Sequence, residues 1–439
     1  MHLHVRIISV TAFVACAAAA TTALSTGAPG EVTMFRGSPA HEGVYPGRGT
    51  PSYGGLQWRF RAGGAIHGSA AVANGTVFAG SSDTKLYALD ARTGGVRWAR
   101  ALGAPVSSTP AVANGVVYVQ TFAGRVLALR ASNGTTIWSR DGAALIPFPW
   151  GHEGWDVYTS SPTLVAGTLL IGGGDGFLRA LDAATGRERW RLATSGRVRA
   201  TPAVHDGRVF VASFDGDVYA ADLATGRLAW RFETEGHALD SSKFGYDRHS
   251  VQSSPAVAGG IVTFGSRDGH LYGVDEQTGV QRWRLHDTVP WIIASPAMQD
   301  GRAYVSSSDG RYVEAVDAAN GKPVWTFDAG ANFFSSPSIA GDVVYDADFQ
   351  GRVHALDKRT GKELWRFSAE GSRMISTPVI AGGPALRRRR RRLTLRDQPR
   401  TRRGAAAGGV LGRRVREVES DRRTRTAQDV LRGARLRRA

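Results

Sequence analysis

Between residues 56 and 382 the chain alternates short apolar runs with Gly-containing turns, and the runs are too short for helices. In residues 200–232 four strands are predicted: Thr201-Pro202-Ala203-Val204, Val209-Phe210-Val211-Ala212, Val218-Tyr219-Ala220-Ala221 and Leu228-Ala229-Trp230-Arg231. Asp206-Gly207, Asp215-Gly216 and Thr225-Gly226 separate them. Asp-Gly pairs admit positive φ and match the twist of antiparallel neighbours, so the turns read as hairpins and the unit as one meander sheet.

The unit recurs. Trp58, Trp98, Trp138, Trp190, Trp230, Trp283, Trp325 and Trp365 mark the fourth strand of successive copies, at separations of 40, 40, 52, 40, 53, 42 and 40 residues. One meander cannot bury both of its faces, whereas copies stacked around an axis can, which predicts an all-β propeller of four-stranded blades. Trp58 lies in a fourth strand with none of its blade before it, and Ser376-Thr377-Pro378-Val379-Ile380 is a first strand with none of its blade after it. Joined in one sheet, the N- and C-terminal strands make an eighth blade and close the ring. The alternative is seven blades with the terminal pieces unpaired.

The repeated form Asp-Gly-x-Leu-Tyr-Ala-Leu-Asp-x-x-Thr-Gly-x-x-x-Trp, as in Leu86 to Trp98 and Leu178 to Trp190, resembles the tryptophan-docking repeats of the quinoprotein, or PQQ-like, propeller superfamily. Met34-Phe35-Arg36-Gly37-Ser38-Pro39 and Glu42-Gly43 are similar to the lead-in before the first blade of bacterial envelope proteins with these repeats. The resemblance implies that the eight tryptophans dock between blades. It covers both PQQ-dependent alcohol dehydrogenases and PQQ-free binding or assembly propellers, so the fold by itself does not choose a function.

Composition narrows the choice. Cys16 is the only cysteine, so the propeller has no disulfide, no cysteine metal site and no attached c-type haem. Quinoprotein alcohol dehydrogenases of the resembled family carry an adjacent cysteine pair beside the cofactor and are longer, and both departures favour a non-catalytic protein. Residues 1–20 hold one arginine, Arg6, then an apolar stretch from Val5 to Ala15 and small residues from Cys16 to Ala20. That layout is an export signal, too short for a comfortable membrane span. Cleavage near Ala18 to Ala20 and lipidation at Cys16, in Phe13-Val14-Ala15-Cys16, remain alternatives.

The expected organisation is a signal peptide over 1–20, a lead-in over 21–55, the propeller over 56–383 and a tail over 384–439. The net charge of +17 misleads, because the tail carries 20 arginines against five acids and all but two of the excess positive charges. A basic arm, a solvated disordered tail and a shifted reading frame compete there. The last explains both the abrupt loss of the repeat and the arginine excess. No nucleic-acid partner is assigned, since an exported propeller has little occasion to meet one.

Comparing copies of the repeat separates scaffold from candidate site. Before the proline, or before Ala70 in the first copy, every copy carries Ser or Thr: Ser69, Thr109, Ser161, Thr201, Ser254, Ser295, Ser336 and Thr377. That uniformity predicts hydroxyls bonded to backbone between blades. Two residues earlier the series varies as His67, Ser107, Thr159, Arg199, Gln252, Ile293, Phe334 and Ile375, which predicts a channel mouth polar over five blades and apolar over three, with Trp291 nearby. Segments 141–159 and 235–252 are expanded by 12 to 13 residues on the same face and resemble each other, Gly154-Trp155-Asp156 against Gly245-Tyr246-Asp247. They read equally as a cap, packing Trp150, Trp155 and Phe244, and as a binding lip.

The expected binding residues are therefore His67, Arg199, Gln252, Trp291, Phe334, Trp155, Asp156, Tyr246 and Asp247. No catalytic residue and no metal site are assigned, although His152, Glu153, Asp156 and Asp247 are of ligand type. Asp90, Asp182, Asp222, Asp275, Asp317 and Asp357 end strand three in six copies, which makes them turn caps. The leading reading is a monomeric, cofactor-free scaffold, periplasmic or at the cell surface, binding a protein or envelope component at the funnel face and touching membrane only through a lipid on Cys16. It resembles outer-membrane assembly lipoprotein propellers. The alternative is a PQQ- and calcium-dependent oxidoreductase or a degenerate relative.

Overall fold

The structure, a computed structural model, describes residues 6–9, 13–16, 31–144, 159–243, 247–286, 291–369 and 372–382. Seven four-stranded antiparallel blades follow one another, spanning residues 71–101, 111–140, 163–193, 203–233, 256–286, 297–328 and 338–368. In the first blade the strands are Ala71–Ala73, Thr76–Gly80, Lys85–Asp90 and Val96–Ala101. The first two are wholly buried and the fourth is largely exposed. Asn74-Gly75, Asn114-Gly115, Asp206-Gly207 and Asp300-Gly301 each place two consecutive residues at positive φ, the geometry of the tight hairpin the sequence predicts.

Blade-to-blade docking rests on a recurring irregularity. Between the third and fourth strands of all seven blades the register slips by one residue, as where Leu89 faces Val96 but Ala88 faces Trp98. Such a bulge aims the tryptophan across the sheet. The indole Nε1–H of Trp58, Trp98, Trp138, Trp190, Trp230, Trp283 and Trp325 donates to a carbonyl of the next blade at 2.7–3.1 Å, Trp98 to Ala131 and Trp230 to Glu276 among them, whereas Trp365 of the seventh blade donates to the Thr50 carbonyl of the lead-in. In the first seven the ring lies on the Gly of the next Thr-Gly or Asn-Gly turn. Those glycines stand at φ between 72° and 74°, and a Cβ on them would meet the indole at 2.5–2.8 Å, so glycine is required twice over.

The blade count departs from the expectation of eight. Seven blades are complete. A further sheet has the order Leu56–Arg59, Arg6–Ser9, Phe13–Cys16, Val379–Ile380. Its central pair is antiparallel, but both flanking pairs are parallel. The terminal strands thus share a sheet without pairing with each other, and two segments from the expected export signal stand between them. A first and a fourth strand lie three strand spacings apart in a blade, so two further strands must stand between them.

At the axis the pre-proline hydroxyls act as the sequence predicts. Seven backbone N–H groups donate to the hydroxyl one blade on at 2.9–3.1 Å, from Ser69 to Thr109 through to Thr377, which donates to Ser69. The lead-in has a role the sequence did not disclose. Val72, Val112, Val204, Val257, Met298 and Ile339 donate their N–H groups to the carbonyls of Val32, Thr33, Pro39, Ala40, Glu42 and Gly43. Residues 32–43 thereby lie across the inner strands of six blades. Arg36, 1% exposed, donates to the carbonyls of Pro296 and Pro337, and His41 Nδ1 meets the carbonyl of Pro255 at 3.2 Å. Residues 17–30 and 383–439 lie outside the described residues, and with them most of the expected signal and the tail.

Candidate functional site

The segment entering the first strand of each copy brings one residue of the varying series to a common axial space, and all eight of them line it together with Phe35. His67, Ser107, Thr159, Arg199 and Gln252 form one arc and Ile293, Phe334 and Ile375 the other. Trp291, Ile293 and Phe334 pack as one apolar cluster against Phe349 and Ile375. The predicted division into polar and apolar halves is therefore present. The enclosed space is about 80 Å³, room for a few waters.

Beside the polar arc lies a cation that sequence reasoning missed. Arg267, its side chain fully buried, donates from Nη1 to Asp247 Oδ2 at 2.9 Å and from Nη2 to Gln252 Oε1 at 2.7 Å. The guanidinium carbon stands 4.9 Å from the Trp291 ring centroid and 5.5 Å from that of Phe214. Arg199 approaches the Phe214 ring at 5.4 Å. A guanidinium between two aromatic faces, held by a carboxylate and an amide, is a planar, rigid device. Trp291 is at φ 91°, a strained conformation for a side-chain-bearing residue. Its Nε1–H donates to the Asp247 carbonyl and its own carbonyl accepts from Ser308 Oγ, which hold it there.

These bonds revise two expectations. Gln252 and Trp291 are structural partners of Arg267 as well as mouth residues. Asp247 is committed to that guanidinium rather than available as a metal ligand. Trp155, Asp156 and Tyr246, with Trp150, His152, Glu153 and Phe244, lie outside the described residues. The missed residues carried a signal: just before the turn between strands two and three the copies read Ser82, Phe122, Gly174, Phe214, Arg267, Ser308 and Phe349, a series as variable as the one that exposed the mouth.

Burial shifts the titration of the axis. It lowers the pKa of His67, favouring the neutral ring. His41, deeper, is lowered to about 3 by burial and by the nearby Arg36 charge. Asp346, buried where the other copies are apolar, is raised to about 6 by desolvation, and its Oδ1 accepts from Ser335 Oγ and the Ala347 N–H. The six strand-ending aspartates cap turns as predicted. Asp90 Oδ1, for instance, accepts from the N–H groups of Arg92 and Thr93, and its ion pair with Arg97 lowers its pKa to about 2.

A quinone and its calcium ion fit poorly at this axis. The described lining holds no carboxylate to ligate the ion, seven of its hydroxyls already receive backbone bonds, and the space is well below the several hundred Å³ of an ordinary cofactor pocket.

A family model described as outer membrane protein assembly factor BamB matches residues 50–149, 149–290 and 248–393. The chain belongs to that family. Over 150 residues it is 35% identical to the serine/threonine-protein kinase AfsK of Streptomyces griseus, covering 31% of this chain and 18% of the kinase. Over 240 residues it is 35% identical to the outer membrane protein assembly factor BamB of Xanthomonas campestris, covering 52% of this chain and 56% of that protein. The chain thus spans from less than a fifth to little more than half of these relatives. A europium-containing methanol dehydrogenase superposes with a TM-score of 0.68 at 16% identity, over 81% of this chain and 88% of that one, which shows a common fold. Among the described residues no helix is long and apolar enough to cross a membrane.

Proposed function

We propose that this chain is a non-catalytic, exported propeller that acts as a binding scaffold in envelope assembly, with the funnel face as its recognition surface. The observation that carries this reading is the axial site itself: a polar arc and an apolar arc around a guanidinium fixed between aromatic rings, without a nucleophile and base in bonding reach among the described lining residues. Membership of the assembly-factor family supports it. So does the poor fit of a quinone and calcium at the axis. The occupant is a side chain of an envelope protein presented at the funnel mouth, amphipathic enough to meet both arcs, and the scaffold works as a monomer outside the cytoplasm.

A photoreactive residue at position 67, on the polar arc, is the test. Ultraviolet irradiation of cells making the full chain is expected to crosslink it to an outer-membrane assembly protein, and Phe334→Ala is expected to weaken the adduct when the yield is scored against the amount of folded chain, since Phe334 also packs in the apolar cluster. Stoichiometric uptake of PQQ with calcium, followed by dye-linked alcohol oxidation, would overturn the reading in favour of an oxidoreductase.

A further inference from the structure

The internal repeat allows one blade junction to be read against another. At each junction the end of strand one and the following turn residue approach the residue after strand three of the next blade. At four of the six junctions between consecutive complete blades these positions carry no charge. The other two are sister sites. Arg302 Nη1 donates to the carbonyls of Lys358 and Arg359, and Arg208 Nη1 donates to those of Glu276 and Gln277, so the backbone frame is the same.

What differs is the charge inside the frame. Between blades six and seven the Lys358 ammonium donates to Gln299 Oε1 at 3.1 Å and to Asp300 Oδ2 at 2.9 Å. Between blades four and five His205 stands in the place of Gln299, Asp206 in that of Asp300, and Glu276 in that of the lysine. His205 Nδ1 lies 2.7 Å from Glu276 Oε1 and 3.8 Å from Asp206 Oδ2. One ligand atom from each residue lies within 4.8 Å of the others. Glu276 is 2% exposed. Two carboxylates, one of them desolvated, thus converge on an imidazole where the sister junction supplies a cation, and an uncompensated buried carboxylate is costly.

We propose that a divalent metal ion of the zinc type takes the place of the Lys358 ammonium here, ligated by His205 Nδ1 and by the carboxylates of Glu276 and Asp206, and ties blade four to blade five. One imidazole nitrogen and two carboxylate oxygens form a ligand set suited to zinc, with water completing the coordination. The site lies at the far end of the first strand from the funnel and is independent of whatever the funnel binds.

The experiment uses the full chain without an affinity tag, stripped with a chelator, titrated with zinc chloride by calorimetry and melted with and without the metal. Tight uptake of a single zinc ion and a higher melting temperature at saturation are expected. His205→Ala should weaken that uptake by about 100-fold, of the order seen for damage to metal sites. Glu276→Lys rebuilds the sister junction. It should abolish the site while melting at or above the metal-free parent, which separates loss of ligand from loss of fold. Absence of stoichiometric uptake at near-neutral pH, or uptake unchanged by both substitutions, would overturn the proposal and leave His205 as a hydrogen-bond partner of Glu276 alone.

Discussion

The composite sheet meets the first blade by the same two devices that join complete blades, yet it is built differently inside. Trp58, 8% exposed, donates to the Ala91 carbonyl just as Trp230 donates to that of Glu276, and the Thr377 N–H takes its place in the hydroxyl series. In a complete blade, hairpins join all four strands. In the composite sheet each outer strand is held by a short parallel pairing to residues distant in sequence, three residues on one side and two on the other. The contrast teaches that docking is a nearest-neighbour property of the repeat, whereas cohesion within a blade depends on chain connectivity.

Removing equivalent tryptophans is the strongest way to break this comparison. Trp230→Ala deletes a buried ring between two complete blades and is expected to cost roughly 3 to 5 kcal/mol. Trp58→Ala deletes the same contact, but the sheet it anchors is expected to open locally before the rest, so the global melt should shift by less than half as much while amide exchange in residues 56–59 accelerates. Equal shifts in the two melts would show that the composite sheet is as cooperative as a blade.

The lead-in supplies the next largest effect. The unfolded chain binds a proton at His41 near pH 6.5, whereas the folded chain, with a value of about 3, does so only in strong acid. Stability is therefore present above pH 6.5 and is lost as pH falls toward 3, by about 5 kcal/mol at most. Asp346 works in the opposite direction: with a folded value of about 6 against 3.8 unfolded, it adds stability as pH falls from 6 to 4. Denaturant midpoints for the parent and His41→Asn across this range should give a parent-minus-variant difference that declines with acid. A flat difference would mean the plug opens freely to water.

Two smaller tests sharpen the contrast. Gly226 and Gly55 both sit at positive φ, 72° and 93°, but a Cβ on Gly226 would meet Trp190 at 2.6 Å while one on Gly55 meets nothing within 4 Å. Gly55→Ala should cost about 1 kcal/mol from backbone strain alone, and Gly226→Ala about 2 to 3 kcal/mol because docking suffers as well. Gln252→Ala is expected to lower stability by about 1 to 2 kcal/mol, since Arg267 loses one buried partner but keeps Asp247 and both rings. A neutral result in chemical denaturation would return Gln252 to the purely surface role its variability suggests.

The amino-acid sequence by itself determined the blade, because everything that defines it is local. Asp-Gly and Asn-Gly turns, the alternation within 200–232, the tryptophan period and the capping aspartates such as Asp90 act over a few residues and repeat, so each copy confirms the others. The identity of the mouth residues was legible for the same reason, since a position that varies among near copies is free of a shared scaffold task. Only the tertiary structure decided what depends on distant partners. It set Arg267 between Trp291 and Phe214, converted residues 32–43 from a lead-in into a plug across six blades, and fixed the sheet in which the terminal strands meet. These arrangements join residues up to several hundred positions apart, and no local spacing encodes them: they follow from closing a ring, which brings the inner ends of all the blades to one axis where burial and charge must be settled together.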